Sequence, residues 1–249
     1  MRRLLQTTGL MILFLLATKP ASAAVAVVQH VTCSSTASAV TIACTIASTG
    51  TGNLIVVGTG VVNLSSLATG VADTKCSGYV QATGAVAVNY SRSTDVWYCL
   101  SSVSAATVVT VTFSGTAGTW EKTCEVWEVS GMGTVTFDLA GTATGTGPAS
   151  PAEVLGPSVT TTSTNGFVVG EVWSSNNITA APYAGNEFTS GGDIATSLNF
   201  SGISLISTTA TGHQPAWGVS AGSDPYCAST AAFKGGGAAA APNMPPVIL

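Results

Sequence analysis

The chain has 249 residues, of which only 7% are charged, and eleven Asp and Glu face seven Lys and Arg. An ordinary globular protein carries about 25% charged residues. A chain this poor in Lys and Arg cannot neutralise many phosphates, which argues against nucleic acid and anionic lipid as partners.

Hydrophobic residues reach 46% but aromatic ones only 7%, so small side chains supply most of the apolar content. With β-branched residues abundant, the composition reads as ordered and β-rich. The length suits one large β-domain.

The chain opens on a secretory signal peptide over residues 1–23. Met1-Arg2-Arg3 is its positive region, residues 10–17 its apolar region, and Ala21-Ser22-Ala23 its small-residue cleavage site. The apolar run falls short of the roughly 20 residues a membrane span needs. No later segment is apolar enough to span. The expected product is secreted, extracellular or periplasmic, and its mature part keeps only Lys75, Arg92, Lys122 and Lys234 as basic residues.

From residue 24 to 234 the pattern is short β-runs punctuated by Gly, Ser, Asn and Thr. Strands are predicted over 25–33, 39–46, 53–62, 79–83, 86–92, 95–100, 107–114, 122–130 and 134–139. Residues 141–151 read as a loop by composition. Further strands are predicted over 158–163, 166–173, 187–189, 194–200, 203–209, 214–220 and 226–233. No stretch has a helical period with caps. Residues 235–249 read as a flexible Gly/Ala/Pro tail. Asn53-Leu54-Ile55-Val56-Val57-Gly58 is echoed by Asn165-Gly166-Phe167-Val168-Val169-Gly170. The echo fits either a pseudo-repeat or independent use of buried-strand chemistry. A single antiparallel sandwich of two facing sheets is preferred, because it leaves fewer edge strands.

Six cysteines in an exported chain favour disulfides. Cys33 and Cys44 sit on two runs joined by a short turn and are expected to pair. Cys76 is expected to pair with Cys99, and Cys124 with Cys227 as a long-range bridge. There is no Cys-x-x-Cys pair and histidine is scarce, so no metal or cofactor is assigned. Asp73, Asp95, Asp138, Asp193 and Asp224 fall near turns without the spacing of a calcium loop.

Several pieces together resemble a broad group of bacterial secreted and phage-associated β-sandwich domains, similar to jelly-roll, concanavalin-like lectin folds. They are residues 51–58, Val71-Ala72-Asp73-Thr74 with Gly78-Tyr79, Val96-Trp97-Tyr98, residues 108–113, Glu128-Val129-Ser130-Gly131 and Ala231-Ala232-Phe233-Lys234. The resemblance implies a jelly-roll-like all-β sandwich, which the cysteines would staple, and carries over no catalytic residues.

Residues 119–131 concentrate the chemistry: Glu121, Glu125, Glu128, Trp120, Trp127 and Cys124. Strand alternation puts Glu121 and Glu125 on one face and Glu128 on the other. Glu128 is expected to be a structural acid, although it could act with Glu171 as a glycosidase pair if their strands face each other. Gly218-Val219-Ser220-Ala221-Gly222 fits the Gly-x-Ser-x-Gly pattern, but no helix and no His follow it. His30 and His213, the only histidines, have no acidic neighbour in sequence. Asn63, Asn89, Asn177 and Asn199 head sequons that matter only in a glycosylating host.

Tryptophan and tyrosine rings suit sugar faces. Trp120, Trp173, Trp217 and Tyr183 are therefore the candidate ligand-binding residues. Of Trp120 and Trp127, which fall on opposite strand faces, Trp120 is expected to be exposed. The function expected is a non-catalytic binding or surface-interaction module, with extracellular glycan as a partner. A self-assembling surface subunit is the alternative, and a glycoside hydrolase or lyase ranks below both.

Overall fold

The computed structural model describes residues 24–236, apart from 63–66, 77, 88–90, 101, 116–120, 147–151, 176, 194–198 and 221–224. Residues 1–23, nearly all of the tail, and Trp120 lie outside the described residues.

The first half holds β1 (Ala26–Ser35), β2 (Thr41–Thr45), β3 (Leu54–Val62), β4 (Ala68–Asp73), β5 (Val80–Ala87), β6 (Arg92–Cys99), β7 (Val108–Phe113) and β8 (Lys122–Ser130). The second holds β9 (Val135–Thr146), β10 (Ala152–Leu155), β11 (Val159–Thr160), β12 (Gly166–Ser174), β13 (Ile178–Ala180), β14 (Thr189–Asp193), β15 (Phe200–Ser207), β16 (Gly212–His213), β17 (Ala216–Val219) and β18 (Pro225–Gly235). Every recorded pairing is antiparallel.

In the first half, an inner sheet β1-β8-β3-β6-β5 (N-inner) carries an outer sheet β2-β7-β4 (N-outer). In the second, β14-β15-β12-β18-β9 (C-inner) carries β10-β17-β13 (C-outer), and β11 pairs with β16. Set β11 and β16 aside, and the two halves have the same strand order in both sheets. The chain is thus two consecutive eight-strand units of one topology.

The units pack through their inner sheets. Leu54, Val56, Val96, Tyr98, Trp127 and Val129 meet Phe167, Val169, Ala231 and Phe233 in one buried cluster. A second cluster joins the N-outer and N-inner sheets, and a third joins the C-inner and C-outer sheets. The antiparallel sandwich expected from the sequence forms, but it has four layers where two facing sheets were preferred. Both inner sheets are covered on both faces. That is why β3, β8 and β12 are buried nearly end to end rather than at alternate positions. The outer strands, covered on one face, alternate cleanly, as β2 and β7 show.

The echoed segments do fall in equivalent central strands, β3 and β12. Their faces are offset by one residue, however. Ile55 turns toward the N-outer sheet, whereas its sequence counterpart Phe167 turns into the seam between the inner sheets. Residues 141–146, predicted as loop, continue β9, because Thr146 to Gly141 pair residue by residue with Pro225 to Thr230 of β18.

Disulfides join Cys33 to Cys44 and Cys76 to Cys99, both as expected. The expected Cys124–Cys227 bridge does not form, and both are buried thiols. The reason is the layering. Cys124 packs into the core between the N-outer and N-inner sheets, and Cys227 packs beside Trp173 and Phe200. The N-inner sheet stands between them.

Candidate functional site

Layering also decides the fate of the predicted aromatic platform. Trp173 is 2% exposed, packs with Phe200 and Cys227, and has the Arg92 guanidinium 3.9 Å from its ring centre. Trp217 is fully buried on the other side of the C-inner sheet, with Val168, Val172 and Ile203. Tyr183 is half-buried; its N–H donates to the Ala216 carbonyl at 2.8 Å and its ring lies near Gly218. Trp173 and Trp217 are buried in separate cores on opposite sides of the C-inner sheet, so neither presents a ring to a ligand. Trp127 is buried as well, at 1%, because its strand is covered on both sides.

The acids of β8 divide as alternation requires. Glu128 turns toward the loop after β2 and accepts three hydrogen bonds: from Gly50 N–H, Asn53 Nδ2 and Gln29 Nε2, each at 2.6 Å. It is the structural acid expected. Glu125 turns to the seam, where its carboxylate meets His30 Nε2 at 2.9 Å and accepts from Gly202 N–H at 2.8 Å. His30 stacks on Trp127, with ring centres 4.6 Å apart.

Glu171 comes into the same seam from β12. Its carboxyl lies over Gly58, and neither oxygen has a hydrogen-bond partner. Burial, then the charge of Glu125, push its pKa well above the usual carboxylate range. That favours the neutral acid. The acid facing Glu171 is therefore Glu125; Glu128 lies across the N-inner sheet from it. Glycines make the approach possible. Gly58 pairs with Glu125 across β3 and β8, and Gly202 pairs with Glu171 across β12 and β15. A Cβ on either would collide with the carboxyl from the other sheet. A glycosidase needs its two carboxyls on either side of a sugar, whereas these are enclosed by packed sheet. Glu121 borders an open depression of about 420 Å³, with Ser34, Ser35, Thr36 and Ala37.

A third constellation was invisible in the sequence. Ser207 Oγ lies 2.9 Å from His213 Nε2, and His213 Nδ1 lies 2.8 Å from Glu187 Oε1. These are the contacts of a nucleophile, a base and an orienting acid. Access runs the wrong way, however. Ser207 is 1% exposed and His213 2%, while the Glu187 side chain is 46% exposed. A working triad opens its serine to substrate. Here the Ser207 hydroxyl lies 2.8 Å from the Thr209 carbonyl, as a donor to it. The arrangement clasps the end of β15 and the short strand β16 to the segment before β14. The Gly218–Gly222 match lies elsewhere: Gly218 and Val219 belong to β17, Ser220 N–H bonds the Asn177 carbonyl, and Ala221 and Gly222 lie outside the described residues.

Among the described residues, the outer face of the N-outer sheet is open. Thr41, Ala43 and Thr45 of β2, Val108, Thr110 and Thr112 of β7, and Thr69, Gly70 and Ala72 of β4 are exposed or half-exposed. Register aligns Thr41, Thr112 and Gly70 in one cross-strand row, and Ala43, Thr110 and Ala72 in the next. Rows lie about 7 Å apart along the strands, and strands about 4.8 Å apart. No charged side chain stands among these nine residues. Edge strand β2 is stapled inward through Cys44 to β1, and the segment that follows β4 is stapled through Cys76 to β6. Neither a scan against family models nor a comparison with curated proteins finds a match for the chain.

Proposed function

We propose that the protein is an exported, non-catalytic surface-interaction module whose contact face is the outer face of the N-outer sheet. The observation that carries this reading is the uncharged, exposed array of Thr, Ala, Val and Gly, tied inward by a disulfide in β2 and by another just after β4. Its partner would be an uncharged surface with closely spaced hydroxyls, such as a neutral polysaccharide. Threonine supplies one donor and two acceptor sites per side chain without a charge to desolvate. A rigid array lowers the ordering cost of contact. The likeness of the sequence to lectin-like jelly rolls points the same way, as do two disulfides and the lack, among the described residues, of any helix long and apolar enough to cross a membrane.

Replacing Thr110 by Arg puts a charge at the centre of the array. Retention on insoluble cellulose, chitin or β-glucan should fall by about tenfold or more, since a desolvated, unpaired charge costs several kcal/mol. Wild-type retention should be insensitive to salt. Equal retention of wild type and T110R, or no retention of wild type on any neutral polymer, would sink the proposal.

Self-assembly is the second reading, and edge strand β1 favours it: Val27 is 37% and Val28 54% exposed there. Unpaired edges template strand addition. Sedimentation velocity separates the two readings. Assembly through β1 is concentration-dependent and unaffected by T110R.

A further inference from the structure

We infer that Cys33, Cys44 and Cys124 form a thiol–disulfide exchange site, in which the Cys33–Cys44 bridge can be traded for a Cys33–Cys124 bridge. Two observations place the third sulfur. Cys124 lies directly across from Cys33 in the β1–β8 pairing. The three Sγ atoms all lie within 4.8 Å of one another. All three side chains turn into the core between the N-outer and N-inner sheets.

The step is balanced. The Cys124 thiol loses its proton, and its Sγ attacks Cys33 Sγ. The Cys33–Cys124 bond forms as the Cys33–Cys44 bond breaks, and Cys44 leaves as a thiolate that takes up the proton. One disulfide and one thiol are present before and after, so no outside oxidant or reductant is required. The consequence is mechanical. The original bridge ties edge strand β2 to the layer beneath it, and the exchanged bridge lies within the N-inner sheet. The N-outer sheet would then keep only the Cys76–Cys99 tie near β4.

The site is gated by its surroundings. Burial pushes the Cys124 thiol up to about 12, and the Glu125 and Glu171 carboxyls add to it. Of the other charged groups, Lys122 lies on the same face of β8, its ammonium donating to the Ala37 and Ala39 carbonyls, and Asp95 lies beyond Thr59 on β6. Strands β2 and β7 bring no titratable group but Cys44. Thiolate is the attacking species, so exchange is slow at neutral pH and speeds up by about tenfold per pH unit while the fold persists.

The test is disulfide mapping. Oxidised Cys44→Ser protein should contain a Cys33–Cys124 bridge in its non-reducing digest. Recovery of both residues as alkylated thiols from the folded variant would overturn the inference. Wild-type protein covers the case in which C44S does not fold. After incubation from pH 7 to pH 10, acid quench, denaturation and alkylation, label should move from Cys124 to Cys44 at a rate rising about tenfold per pH unit, with total thiol constant. Label confined to Cys124 at every pH, while circular dichroism stays native, would equally overturn it.

Discussion

Asp95 offers the sharpest test of the physical account, because its surroundings fix both the sign and the size of an effect. It sits on β6, 6% exposed, facing the core between the N-outer and N-inner sheets. Gln81 Nε2 donates to Oδ1 at 2.7 Å and Thr59 Oγ1 to Oδ2 at 3.4 Å. Burial raises its pKa from 3.8 to about 6, against the lowering effect of those two bonds. A rise of about two units corresponds to about 3 kcal/mol. Below the unfolded-state value both states hold the proton and no penalty exists. Between about pH 4 and pH 6 the unfolded chain ionises while the folded protein keeps its proton. Stability therefore falls by about 1.4 kcal/mol per pH unit and then levels off. Asp95→Asn abolishes the titration. Its Oδ1 can still accept from Gln81, and its Nδ2 can donate to the Thr59 hydroxyl. Urea unfolding of wild type and D95N at pH 3.5, 5 and 7, at fixed ionic strength, isolates the term, because every other group cancels in the difference. The stability of D95N relative to wild type should rise by about 3 kcal/mol across that range. A difference that stays constant with pH would refute the reasoning.

The seam between the inner sheets makes a second prediction. Gly58→Ala should destabilise by about 1–3 kcal/mol, because the new methyl overlaps the Glu171 carboxyl, and Glu171→Ala in the same chain should restore much of the loss. Additive losses in thermal unfolding of the double variant would show that the two groups do not meet. The closed triad makes a third. A fluorophosphonate probe should leave Ser207 unlabelled in the folded protein, and mass-spectrometric detection of a Ser207 adduct lost in H213Q would restore the hydrolase reading.

Legibility in the sequence followed how local the cause was. Strand β8 is found at its predicted bounds, because a run of β-formers between Gly-rich and Ser-rich breaks needs no tertiary information. The split of Glu125 from Glu128 was also legible, being a matter of alternation alone. Strands β4, β10 and β13, with sequences ATGVAD, AEVL and ITA, escaped notice. They are short and carry little apolar signal, and only pairing to β7 and β17 makes them strands. The Ser207, His213 and Glu187 cluster had no sequence signal at all. Its members come from the end of β15, from β16, and from a segment 26 residues before His213.

By itself the sequence determined an all-β antiparallel chain, two of its disulfides and the alternation along each strand, since these depend on composition and on neighbours close along the chain. Tertiary structure decided how many layers those strands form. Two units of one topology set their inner sheets face to face, and that packing covered β8 on both sides. It buried Trp173 and Trp217, two of the rings expected to form a sugar platform, enclosed Glu125 and Glu171 together, and kept Cys124 from Cys227. It left Cys124 beside a disulfide already made, and the uncharged threonine face of the outer sheet open. A period-2 pattern says which side chains share a face; only the packing of one sheet on another says whether that face meets water.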